Sequence, residues 1–158
     1  MHYDVRDTEP QDLIWMMAHM RRSDQDEVAA MSGSTAGDAM FYGRASCRYM
    51  KTALVNGIPL LVFGVSPAHH NPEVGVVWML ATDYIEDKTC RLLLARHSRK
   101  WVDEMQSQYT VLTNMTDKRN KAHHRWLQWC GFVFINEIPW GPANAPFLEF
   151  VRINKCVT

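Results

Sequence analysis

Two pairs of adjacent histidines, His69-His70 and His123-His124, and four cysteines, Cys47, Cys90, Cys130 and Cys156, are the side chains of this 158-residue sequence best suited to hold a metal or attack an electrophile. Their spacing does not assemble a metal site. Adjacent side chains diverge on a strand or a helix, so each histidine pair offers one ligand per face. No carboxylate or cysteine stands at the three-to-four spacing from His123 or His124 that would add a second ligand on a helix, and no metal is expected. The cysteines lack the close pairing of zinc sites or small disulfide frameworks and read as free thiols, Cys90 and Cys130 as small buried groups beside apolar neighbours. Lys118, Arg119, Lys121, His123, His124 and Arg125, edged by Trp126 and Trp129, could touch phosphate in a ligand or a nucleic acid. A solvated helix face with Ala122, Trp126 and Trp129 turned into the core explains the same residues, and this reading is preferred. Finally, Asp83, Glu86 and Asp87 gather negative charge in a stretch that has no glycine between Gly75 and Gly131. Asp87 or Thr89 there reads as a helix cap, with the other acids favouring the positive end of the helix.

The elements that must position these residues belong to one domain spanning 1–158, since a chain of this length makes about one. Hydrophobic residues make up 47% and charged residues 22%, enough for a sizeable core and too apolar for disorder. Seventeen basic residues balance seventeen acidic ones, so no global field draws the chain to nucleic acid or an anionic membrane. The apolar runs Ile58 to Val65 and Val74 to Ala81 fall well short of the ~20 residues of a membrane helix, and the N-terminus shows no signal pattern. A cytosolic type of protein is expected.

Tyr3 to Asp7 alternates like a short strand, and Thr8, Pro10 and Gln11 form a helix start with Thr8 as cap. Leu13, Ile14, Met17 and Met20 follow at helical spacing, and a second helix after Ser23-Asp24 runs through Val28 and Met31. Ser32 to Gly37 is a break, and Ala39 to Met50 is a weaker helix. The turn Asn56-Gly57 joins Thr52–Val55 and Ile58–Val65 into a hairpin. Ser66 to Glu73 reads as a loop, Val74 to Ala81 as a strand in mid-sheet, and Thr89 to Met105 as the main helix, with Cys90, Leu94, His97, Trp101 and Met105 in one stripe. Tyr109 to Thr113 is a strand, Thr116 or Asp117 caps a helix through Trp129, and Gly131 suits its left-handed end. Strands Phe132–Ile138 and Phe147–Ile153 enclose a loop from Pro139 to Pro146. The sum is a mixed α/β sheet, mostly antiparallel, with a central crossover and helices on its faces.

This element order, with the run Asn120-Lys121-Ala122-His123-His124-Arg125-Trp126-Leu127-Gln128-Trp129-Cys130-Gly131-Phe132, resembles the GNAT (Gcn5-related N-acetyltransferase) fold over nearly the whole chain. More narrowly, Met20-Arg21-Arg22-Ser23-Asp24 with Glu27-Val28, the Asn56-Gly57 hairpin, Val76-Val77-Trp78-Met79-Leu80 and the Asn120 segment look like the small GNAT-like proteins of short-tailed bacteriophages. That family is usually described as internal virion or morphogenesis proteins, some of them labelled acetyltransferases from fold alone. The resemblance implies a setting in the host cytoplasm or the virion.

An acetyltransferase of the resembled fold holds the acetyl-CoA diphosphate in a glycine-containing loop at a helix N-terminus. Here that loop falls at Thr82 to Arg91. A carboxylate ~6 Å from a phosphate charge costs about 3 kcal/mol at an effective dielectric of 20, roughly a hundredfold in affinity, unless Lys88 or Arg91 compensates. The family tyrosine that protonates the thiolate falls at Leu127, which has no proton to donate. The expectation is therefore a protein without turnover and without a cofactor. It would act through contacts with phage structural or host proteins in virion assembly or as an internal virion component. The alternative is an N-acetyltransferase of a host or phage protein, with acetyl-CoA between Val74–Ala81 and Tyr109–Thr113. Backbone groups near Leu80 and Thr82 would then hold the pantetheine arm, the amides of Lys88, Thr89, Cys90 and Arg91 would meet the diphosphate, Asn120 would assist, and Glu73 or His70 would act as general base. A third reading is an inhibitor of a host enzyme.

Overall fold

The turn Asn56-Gly57, with φ of 52° and 79°, takes the left-handed conformation that a two-residue hairpin demands, and it sets the register of the first half of the sheet. The structure, a computed structural model, describes residues 1–155; Cys156 lies outside them. Its strands are β1 (Tyr3–Asp7), β2 (Tyr49–Val55), β3 (Ile58–Ala68), β4 (Asn71–Ala81), β5 (Val111–Asp117), β6 (Val133–Trp140) and β7 (Ala145–Ile153). Its helices are α1 (Pro10–His19), α2 (Arg22–Ser32), α3 (Ala36–Ser46), α4 (Lys88–Gln106) and α5 (Lys121–Trp129), with a 3-10 turn at Asp83–Glu86. The strands form one sheet in the order β1-β2-β3-β4-β5-β7-β6. Every pairing is antiparallel except that of β4 with β5, which the crossover through α4 makes parallel. This is the mixed, mostly antiparallel sheet flanked by helices that the sequence pattern calls for.

Alternation along β4 divides the core. Val77, Met79 and Ala81 face the larger cluster, with Leu94, Trp101, Val102 and Met105 of α4 and Leu127 of α5. Trp78 and Leu80 face the smaller one, with Met16, Met20, Met40 and Val62 under α1 and α3. The indole N–H of Trp78 donates to Cys47 Sγ at 2.9 Å. Cys90 and Cys130 are buried, and burial raises both thiols, Cys130 to about 11.

Several boundaries differ from expectation, each for a tertiary reason. The stretch from Ser66 to Glu73 is not a loop: β3 runs to Ala68, β4 starts at Asn71, and only His69-His70 turns. Pro67 is tolerated because odd-numbered β3 residues face β2, and β2 begins at Tyr49, opposite Val65, so no ladder donor is needed at Pro67. The cap of α1 is Glu9, whose amide donates to Asp12 Oδ2 at 2.9 Å, and not Thr8, which is buried and bonded to Thr52. The buried face of α1 runs through Asp12 and Met16, leaving Ile14 and Met17 exposed. α2 begins at Arg22, so Asp24 lies inside its first turn, and the break before α3 shrinks to 33–35. α3 ends at Ser46, giving its last residues to β2. β5 is displaced to Val111–Asp117 because β7 pairs with it along that whole length, which pushes the cap of α5 on to Asn120. Gly131, at φ 89°, does end that helix. The buried face of α5 is His124 and Leu127; Trp129 stays outside, under the Arg99 guanidinium at 3.8 Å. The Pro139 to Pro146 loop is shorter than expected, because Pro139 pairs with Pro146 on the edge strand, where a missing amide does no harm.

Candidate functional site

The parallel strands β4 and β5 pair only at Val74–Val111, Gly75–Leu112 and Val76–Thr113, then diverge. The Asn114 side chain sits at the apex of this fork and donates from Nδ2 to the Val77 carbonyl at 2.7 Å. Beyond it, odd-numbered residues of β4 turn their main-chain groups to the open side. Leu80 and Thr82 turn theirs the other way: the Thr82 amide and hydroxyl both donate to the Leu60 carbonyl. The groups facing the opening are therefore those of Met79 and Ala81, and not those of Leu80 and Thr82 that the sequence suggests.

Ala81 is already bonded. Its amide donates to Asp24 Oδ2 at 2.7 Å, and its carbonyl accepts from the Arg21 amide at 2.9 Å. Arg21 Nε in turn donates to Asp24 Oδ1 at 2.8 Å. Burial pushes the Asp24 carboxyl above the ordinary aspartate range despite Arg21 and the Ala81 amide, which pull it down. Across the fork, Glu27 Oε1 accepts from the Asp117 amide at 2.5 Å and from the Thr116 hydroxyl at 2.8 Å, and Oε2 accepts from Asn120 Nδ2 at 3.1 Å. His123 Nδ1 lies 3.6 Å from Glu27 Oε2 and 3.2 Å from Thr116 Oγ1. Burial alone would raise Glu27, but the bond and charge of His123, then the Asp117 amide and Thr116, outweigh it and hold the carboxyl at about 2.

On the α4 side of the fork lies a cleft of about 300 Å³, lined by Met79, Ile85, Arg91, Leu94, His123, Arg125 and Trp126, among others. A larger, shallower depression of about 630 Å³ opens over the start of α4, between Asp83, Tyr84, Asp87, Thr89 and Cys90. Three of its helix amides are taken: Asp87 Oδ1 accepts from Thr89 N at 2.8 Å and Cys90 N at 3.1 Å, which holds the Asp87 carboxyl below the usual aspartate range, and Arg91 N donates to the Asp87 carbonyl at 3.0 Å. Lys88 and Arg91 are exposed. Asn120 caps α5, its Oδ1 accepting from the His123 amide at 3.3 Å while its Nδ2 serves Glu27.

The structure does not bring the general-base candidates to this place. His70 lies in the β3–β4 turn and Glu73 near the start of β4, both exposed, at the closed end of the strand. Glu73 is roughly 30 Å of extended chain from Thr82. Sequence reasoning gave Asp24, Glu27 and Asn114 no place in the site and read His123 as a possible phosphate contact, not as a partner of Glu27, because their contacts join parts of the chain far apart in sequence. The one local signal is the three-residue spacing of Arg21, Asp24 and Glu27, which places them on successive turns along one side of α2.

No protein-family model matches the sequence, and the curated proteins offer no match. Solved structures do. The ribosomal-protein-S5-alanine acetyltransferase from Vibrio fischeri aligns with a TM-score of 0.70 at 14% identity, over 100% of this chain and 96% of that one. The aminoglycoside acetyltransferase AAC(6')-Ib, in complex with ribostamycin and coenzyme A, gives 0.70 at 16% identity over 100% and 99%. An acetyltransferase of the GNAT family from Streptococcus pneumoniae gives 0.64 at 13% over 96% and 99%. The chain has the GNAT fold.

Within that fold, the residues at the start of α4 do not fit a coenzyme A diphosphate. The amides of Thr89 and Cys90, which would meet an anion, are bonded to the Asp87 carboxylate, that of Arg91 is bonded to the Asp87 carbonyl, and no glycine opens the loop between Thr82 and Arg91. Leu127 is 1% exposed and packs in the core. Among the described residues, no group of three or more His, Cys, Asp or Glu is placed to hold a metal ion, and no helix is long and apolar enough to cross a membrane.

Proposed function

We propose that this GNAT-fold protein works through protein contacts and not through acetyl transfer. The setting is the one its sequence resemblance implies, assembly of a short-tailed phage virion or its internal components. The observation that carries this reading is the Asp87 carboxylate on the Thr89 and Cys90 amides, which fills the phosphate seat with a charge of the wrong sign. A surface suited to a protein partner supports it. Ile14 and Met17 on α1 and Phe41 and Tyr42 on α3 are exposed, Phe41 by 80%, and Met17 Cε lies 3.3 Å from the position of a β-carbon on Gly37, one turn before Phe41. Calorimetry with acetyl-CoA tests the first half: no binding heat is expected up to millimolar ligand, and micromolar binding overturns the proposal. Copurification with capsid or portal intermediates tests the second, and a deletion phage that assembles normally refutes it.

A second reading, N-acetyl transfer to a host or phage protein, is favoured by one feature. The β4–β5 fork opens onto a cleft flanked by Arg91 and Arg125, neither of which has a carboxylate within ion-pair distance among the described residues, and solved acetyltransferases share the fold. The same titration decides between the two.

A further inference from the structure

We infer that α2 is a built-in wedge: it occupies the β4–β5 fork from within, takes the hydrogen bonds along which an extended ligand arm would lie, and seals one face of the sheet from the other. The inference stands on α2 and holds whether or not a phosphate can be bound at α4. The chain entering α2 first adds a single antiparallel bridge to the open edge of β4, Met20 opposite Thr82, where a neighbouring strand would otherwise be. Asp24 then takes the Ala81 amide, and one turn later Glu27 takes the Asp117 amide, so one helix satisfies both lips of the fork. Asn114 closes the apex on Val77.

The seal is dry. Ala81, Thr82 and Thr116 have no exposed surface, and Asp24 and Asp117 are each 2% exposed. Buried amides and carboxylates persist only when paired, and here each lip amide is paired with a carboxylate of the same helix. The Met20–Glu27 segment singled out in the sequence thus has a physical role that neither catalysis nor capping supplies. A ligand in the cleft on the α4 side would find only the Met79 main chain open to it beyond the apex. It could not pass a group through the sheet to the α1–α3 face.

The test follows the backbone amides of Ala81 and Asp117 by NMR in the full-length protein, with pantetheine, which lacks phosphate, and acetyl-CoA as probes. Both amides are expected to exchange at least roughly a thousandfold slower than in an open chain and to keep their positions in the presence of either probe. Asp24→Asn is expected to speed exchange at Ala81 more than at Asp117, and Glu27→Gln the reverse. Fast exchange in the wild type, or a shift of either amide with pantetheine or acetyl-CoA, overturns the wedge. Should a variant fail to fold, the wild-type titration still decides. Calorimetric binding of acetyl-CoA that leaves both amides in place would refute the proposed function and leave this inference standing.

Discussion

Replacing Glu27 by glutamine keeps the side-chain shape and removes the charge that four neighbours converge on. The wild-type carboxyl is held at about 2, against an ordinary glutamate value of 4.5. At 1.36 kcal/mol per pKa unit this is about 3 kcal/mol of preference for the ionised form in the fold. Because the folded value is depressed, that stability is present in full above pH 4.5 and is lost as the pH falls through about 2. Glu27→Gln lacks it at every pH. The variant is therefore expected to be about 3 kcal/mol less stable at pH 5, a drop in Tm of roughly 6–12 °C for a chain of this size, with the difference shrinking towards zero near pH 2. Urea unfolding of both proteins at several pH values measures it. A loss under ~1 kcal/mol at pH 5, or a loss that does not change between pH 5 and pH 2, would refute the account of Glu27 as an ionised anchor of β5.

Asp24→Ala removes the acceptor of the Ala81 amide and strands the Arg21 guanidinium, 8% exposed; a loss of about 3–5 kcal/mol is expected in urea unfolding. Its pH dependence has the opposite sign to that of Glu27. The folded pKa is raised, so the Asp24 contribution is largest below the ordinary aspartate value and declines as the pH rises above it, which comparing Asp24→Asn with wild type across pH 3 to 7 will show. Asp87→Ala deletes the cap of α4 and is expected to lower stability by ~1 kcal/mol, read as a fall in Tm. Gly141→Ala is expected to lose more than the roughly 1–2 kcal/mol of a left-handed alanine, because at φ 77° its β-carbon would stand 1.8 Å from the Ala30 carbonyl oxygen; thermal unfolding checks it.

What could be read from the sequence was what neighbours in the chain decide. Asn56-Gly57, the Asp87 cap, Gly131 and the α4 stripe all rest on contacts within a few residues, and all stand where the pattern puts them. The two prolines of the Ser66 to Glu73 stretch misled, because whether a strand tolerates proline depends on which neighbouring strand lies opposite it. The cap of α5 misled for a related reason: Thr116 and Asp117 have capping chemistry, but pairing with β7 keeps both in a strand. At the fork the composition told half the story. The missing glycines and the acids of the Thr82 to Arg91 loop were visible, and Asp87 does occupy the helix amides. That Asp24 and Glu27 serve strands 57 and 90 residues away is a property of packing and leaves no periodic trace.

Those long separations also bear on the order in which the molecule assembles. Glu27 meets Thr116 and Asn120 across 89 and 93 residues, so on a ribosome α2 is made long before its far anchors exist. Closing so large a loop carries an entropic cost that the shorter-range contacts of the hairpins and of α4 do not bear, and the α2 contacts are expected to form after them. Weakening them is then expected to leave the refolding rate almost untouched and to speed escape from the native state, which stopped-flow refolding and unfolding of Glu27→Gln would read as the action of a bolt on the lifetime of the folded molecule.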